Sequence, residues 1–229
     1  MSAIADLRRV LEARFPNAVP LPARTVPQIS TGVEALDRIL PSGGLPRGRL
    51  SVWIPGIGGA AVLRGACFQA VQRGERAAWV DGVGKVAVGA RWDGVALAKP
   101  KSEQQALECT EELLRSGGFA LVVRVGEGSR AAERVRLTRA AREGGSALIE
   151  LSSDPHLAAV RISARATPES FRWKWNELGE PLTVESVILK VQVAAAGWSR
   201  ESDVVLVVTN HEHSLSVDTG LADRRGVGR

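Results

Sequence analysis

From Ile29 to Gly59 the chain reads ISTGVEALDRILPSGGLPRGRLSVWIPGIGG, and this stretch constrains the fold more than any other. Thr31 with Glu34 three residues on has the form of a capping box, and Val33, Leu36, Ile39 and Leu40 fall on one helical face. Pro41 ends that short helix, and SGG and PRG make turns around Leu45. Leu50–Ile54 then reads as a short buried strand. It runs into the Gly-rich loop Pro55–Gly59, and a helix is predicted over 60–73. Strand, Gly-rich loop and helix in that order are the layout of a P-loop.

The loop's chemistry does not match its layout. A phosphate cradle needs a Lys that reaches the phosphates and a Ser or Thr hydroxyl for Mg²⁺. Between Pro55 and Leu63 there is no Lys, Ser or Thr. Gly56, Gly58 and Gly59 therefore read as a vestigial nucleotide loop without its charged parts.

The order ISTG, LD, GGLP, GR, PG, followed by QRGERAAWVD, resembles the core of the RecA recombinase family over about Gln28 to Trp198. Within that superfamily the chain is most similar to ImuA-type proteins, short RecA-like accessory proteins of bacterial mutagenic translesion synthesis. The resemblance implies an α/β fold: a RecA-like core with a mostly parallel central sheet flanked by helices, and added antiparallel strands on the C-terminal side. It also implies where catalytic groups would stand. The glutamate that activates water lies just beyond the strand ending at Asp81, where this chain has Val83. The aspartate supporting Mg²⁺ ends the strand FALVVRV, where this chain has Arg124. A guanidinium there repels a divalent cation, and Arg124 is a candidate to fill the phosphate pocket near Gly58. With three catalytic positions missing, no ATP hydrolysis, cofactor or metal is expected.

The 229 residues, 45% of them apolar, suit one globular domain with short appendages. The expected division is a helix and proline-rich arm at 1–28, the core at 29–200, and a final strand with a flexible tail at 201–229. No apolar run reaches membrane-spanning length and the N-terminus has no signal-peptide apolar region, so a cytoplasmic protein without membrane contact is expected. Cys67 and Cys109 fall inside predicted helices and read as buried thiols. The net charge of +5 is compatible with nucleic acid or an acidic partner. With six Trp and no Tyr, aromatics are too few for an extended base-stacking platform.

Residues 3–15 read as an amphipathic helix with Ile4, Leu7, Leu11 and Phe15 on one face, and residues 16–28 read as an extended arm. The helix packs either on its own domain or on a neighbouring protomer or partner. Ser102 with Gln105 caps a helix through about Ser116. The next helix, over 129–143, is expected to turn Ala132, Val135, Leu137 and Ala140 inward. Arg130, Arg134, Arg136, Arg139 and Arg142 occupy the rest, as a solvated face or as a stripe contacting DNA or a partner. SSDPHL leaves room only for a tight turn between two strands. The regions that carry the two DNA-binding loops of RecA are much shortened here, which argues against autonomous strand exchange or filament activity. Lone His156, and the HEH of His211 and His213, carry no catalytic or metal-binding pattern. In the last third, Phe171, Trp173 and Trp175 share a strand face opposite Arg172 and Lys174.

The function these readings favour is a non-catalytic adaptor in the SOS response and mutagenic translesion synthesis. The resemblance implies RecA, ImuB and an error-prone DnaE-type polymerase as partners, with the N-terminal arm and C-terminal tail as the expected contact regions. The alternatives are a DNA-binding module built on the arginine helix, or a nucleotide-binding regulator with weak or no ATPase activity.

Overall fold

A computed structural model describes residues 28–84, 92–209 and 214–217. The helix expected at 3–15, most of the expected arm, the HEH motif and residues 218–229 lie outside the described residues. The strands are β1 (Gln28–Ile29), β2 (Leu45–Pro46), β3 (Leu50–Trp53), β4 (Ala77–Asp81), β5 (Ala96–Ala98), β6 (Leu121–Val125), β7 (Ala147–Leu151), β8 (Val160–Arg165), β9 (Phe171–Trp175), β10 (Pro181–Ala195), β11 (Trp198–Thr209) and β12 (Ser214–Val217). The helices are α1 (Glu34–Ile39), α2 (Gly59–Gln72), α3 (Glu103–Arg115) and α4 (Ala131–Gly144).

One large sheet runs in the order β12-β11-β10-β8-β3-β7-β6-β4-β5, with β9 also paired to β10. From β8 to β5 all neighbours are parallel, and from β8 outward through β10, β11 and β12 they are antiparallel. This is the expected mixed α/β architecture. The parallel strands are apolar runs because helices cover both faces. On one face α1 and α2 pack Leu36, Val62, Leu63 and Ala66 against Trp53, Val123 and Ile149. On the other, α3 and α4 pack Leu107, Leu114, Leu137 and Ala140 against Val52, Val122 and Leu148. The first core continues through Leu189 on β10 and Leu206 on β11, so residues beyond 200 are part of the main body. Part of the expected flexible tail, Ser214–Val217, is a strand on β11.

Three local expectations change. Thr31 does not cap α1, whose N-cap is Val33 with no side-chain bond. Instead Asp37 gathers the segment before the helix. Its carboxylate accepts from Ser30 Oγ at 2.6 Å, Thr31 N at 2.9 Å and Thr31 Oγ1 at 2.7 Å. The spacing of ISTG and LD is thus that of a knot closed by one carboxylate. Second, residues 152–159 are not a tight turn between neighbouring strands. β7 and β8 lie on either side of β3 and run parallel to it, so this segment is a short crossover. Third, α4 is rotated from its expected orientation. Arg134, Leu137, Ala140 and Ala141 are buried, whereas Val135 is 61% exposed.

Cys67 is buried on α2, where desolvation pushes its thiol pKa up to about 12, and Cys109 is half-buried; both are free. No helix among the described residues is long and apolar enough to cross a membrane.

Removing the Asp37 carboxylate strands three donors at a partly buried site. Asp37→Ala is expected to lower stability by about 2–4 kcal/mol in urea denaturation, and Asp37→Asn, which keeps one acceptor oxygen, by less.

Candidate functional site

The C-terminal ends of parallel strands are where open α/β sheets bind ligands. Here they surround a cleft of about 640 Å³ lined by Pro55, Gly82, Val83, Glu103, Gly126, Glu127 and Ser153. Among the described residues no Lys or Arg lines it, and two carboxylates do. Val83, at the position of the water-activating acid, contributes only an apolar side chain. Among the described residues no group of three His, Cys, Asp or Glu is placed to hold a metal ion.

The Gly-rich loop has the expected strand, loop and helix around it, with α2 starting at Gly59. Each of its three glycines is required by the chain's own packing. A Cβ on Gly56 would lie 2.9 Å from the Ala164 carbonyl oxygen. On Gly58, at φ 79°, it would lie 2.5 Å from methyls of both Leu189 and Leu206. On Gly59 it would lie 2.5 Å from the Trp53 indole nitrogen. The antiparallel strands β10 and β11 and the indole under α2 therefore press directly on the loop. That is a reason for glycine that needs no phosphate.

Arg124 does not fill the space at Gly58. On β6 it alternates with Val123 and Val125, which face α2, so its side chain enters the opposite face between α3 and α4. It is fully buried there. Its guanidinium donates to Glu150 Oε1 at 2.9 Å and Ser129 Oγ at 2.9 Å, and pairs with Glu103 at the edge of the cleft. Burial lowers the Arg124 pKa from its ordinary value, and the Glu150 charge and hydrogen bond oppose that shift. The group stays a guanidinium at neutral pH. Where the resemblance places a metal-holding carboxylate, the structure thus has a neutralised internal ion pair.

Glu150 also binds the second buried arginine. Arg134 Nε donates to Glu150 Oε2 at 3.1 Å, Nη1 pairs with Asp154 Oδ2 at 3.1 Å, and further bonds reach the carbonyls of Asp154 and His156. Arg134 thereby pins the crossover between β7 and β8 beneath α4, and it is not available on a surface stripe. Arg136 pairs with Glu111 of α3 at 2.9 Å. Arg139 pairs with Glu143 one turn away and is mostly exposed. Arg130 and Arg142 are exposed without an ion pair among the described residues.

Glu150, Glu103, Ser129, Trp53, Leu189 and Leu206 were not among the sequence-derived candidates. For Glu150 a signal existed. ALIEL and LVVRV each carry one charge in an otherwise apolar core strand, of opposite sign, and Arg124 and Glu150 are directly paired in register. Leu189 and Leu206 gave no such signal, because nothing in a strand's own residues says which loop it will cover.

Gly58→Ala is expected to destabilise by about 2–4 kcal/mol, from the left-handed backbone and the clash with two leucines, as read by urea unfolding. Glu150→Ala leaves two buried guanidinium groups facing each other and should cost about 3–5 kcal/mol. Arg124→Met should cost less, because Glu150 keeps Arg134 and Ser129.

Comparison with known proteins follows the same outline. Residues 20–132 match the RecA N-terminal domain family. RecA of Clostridioides difficile (strain 630) is 35% identical over 103 residues, covering 42% of this chain and 30% of that protein. RecA of Deinococcus radiodurans is 37% identical over 103 residues, covering 42% and 28%. The matched segment thus spans less than a third of the length of these curated relatives. A crystal structure of the RadB recombinase superposes with a TM-score of 0.55 over 83% of this chain and 99% of that one, at 14% identity, a likeness of fold. The chain therefore has a RecA-like fold whose first half is similar in sequence to the RecA N-terminal domain.

Proposed function

We propose that the chain is a non-catalytic RecA-like adaptor, of the ImuA type, that engages RecA and an ImuB-containing polymerase complex during mutagenic translesion synthesis. The observation that carries this reading is the state of the strand-end cleft. Among the described residues its lining is acidic, the adjacent Arg124 guanidinium is paired with Glu150 and Glu103, and the glycines of the neighbouring loop pack against the chain's own atoms. A triphosphate needs cationic groups free to stabilise its charge as it transfers, and the described lining offers none. A protomer with a RecA-like body and no hydrolytic cycle would bind partners without being released by ATP turnover. Cytoplasmic location fits this role.

The DNA-binding alternative loses Arg134 to the interior, and Arg136 and Arg139, though exposed, are ion-paired, which leaves Arg130 and Arg142 exposed without an ion pair among the described residues. The test is capture of purified RecA and of ImuB by the immobilised full chain, with and without ATP and with and without single-stranded DNA. The adaptor reading expects capture of at least one partner, unchanged by ATP and retained when DNA is absent. Capture that depends on DNA and falls steeply with salt would favour the nucleic-acid reading. Absence of binding to both proteins would count against the adaptor.

A further inference from the structure

Two exposed features of the chain are complementary to each other. The first is the tip of the β9–β10 hairpin. Asn176 organises it: its Oδ1 accepts from Leu178 N at 3.0 Å and Glu180 N at 2.8 Å, and its Nδ2 donates to Glu180 Oε2 at 3.0 Å. This holds Leu178 outward at 84% exposure between two carboxylates, Glu177 and Glu180. A leucine presented on a preordered turn has little conformational freedom left to lose on binding.

The second is a groove of about 380 Å³ on the outer side of α4, lined by Arg134, Val135, Thr138, Arg139, Arg142 and Leu157. Its apolar floor is Val135 and Leu157, 61% and 51% exposed. Leu157 is held at φ 60°, an uncommon backbone state for a leucine, on the crossover pinned by Arg134. Arg139 and Arg142 stand beside that floor, with only Glu143 as a local counter-charge to Arg139.

We infer that the hairpin tip of one copy docks in the α4 groove of a second copy, Leu178 on Val135 and Leu157, with Glu177 and Glu180 facing Arg139 and Arg142. The match is apolar on apolar and acidic on basic. It is not made within one molecule: Leu178, Val135 and Leu157 are all uncovered in the single chain. The terminal segments fit the groove less well. Residues 1–27 hold Arg8, Arg9, Arg14 and Arg24 against Asp6 and Glu12, and residues 218–229 hold Arg224, Arg225 and Arg229 against Asp218 and Asp223. Both are basic and would meet two arginines. The contact joins unlike surfaces, so a pair of copies keeps one free hairpin and one free groove, and association continues head to tail. A contact this small belongs to the weak, transient class.

Sedimentation equilibrium of the full chain over a wide concentration range tests this. The mass should rise with concentration beyond the dimer and fall back as salt is added. E177R/E180R and R139E/R142E should each weaken association about tenfold or more. The chain carrying all four changes should associate again, as should an equal mixture of the two double variants. All four positions are exposed, so circular dichroism should report unchanged folding. A wild type that stays monomeric throughout, or association indifferent to every charge change, would overturn the proposal. So would association lost in L7D/L11D and untouched by the charge swaps, which would give the groove to the N-terminal segment.

Discussion

Glu150 lies fully buried between Arg124 and Arg134, and the organisation of the strand-end region depends on that triad. Taking three charges out of water costs more than any one pair returns, unless every remaining donor and acceptor is met. Here most are. Ser129 and Glu103 complete Arg124, apart from its Nε, while Asp154 and two loop carbonyls complete Arg134. The result ties β6, β7, α3, α4 and the β7–β8 crossover to one point. It also explains why eight residues suffice to carry the chain across β3: the crossover is held by side-chain bonds rather than by a helix of its own.

The same triad accounts for what the cleft lacks. A guanidinium at the end of β6 displaces any cation from that position, and its partner carboxylates are then spent on it rather than on a metal. On the opposite face, β10 and β11 bring Leu189 and Leu206 onto Gly58, and Trp53 comes up beneath Gly59. The two faces of the sheet thus reach one outcome by different means, ionic on one side and apolar on the other. Both place the protein's own side chains around the Gly-rich loop and the strand ends beside it.

Much of the fold was legible because its signals are local. The apolar runs of β3, β4, β6 and β7, the Gly-rich loop before α2, and the Ser102–Gln105 cap of α3 all formed as read. The errors share a cause. Thr31 and Glu34 match a capping box, but Asp37 lies within reach of Thr31 in space and takes its hydroxyl. Val135 has the spacing of a core residue on α4, but Glu150 and Asp154 draw the neighbouring Arg134 inward and turn Val135 out. In each case a side-chain bond to a carboxylate, Asp37 in one and Glu150 in the other, overrode a helical pattern read along the chain. The missing Lys and Mg²⁺-binding acid were visible as absent letters, whereas the leucines closing the loop come from strands about 130 and 150 residues further on, and only the antiparallel extension of the sheet brings them there.

The central proposal is that this loop is shaped by internal packing rather than by a bound phosphate. Titration calorimetry of the full chain with Mg·ATP tests it most directly. No saturable heat should be seen up to millimolar nucleotide, with the same flat trace for Arg124→Met, because removing the guanidinium does not reopen a loop closed by leucines. Saturable one-to-one Mg·ATP binding by the unaltered chain, lost when Gly59 is replaced by a folded variant, would contradict the account.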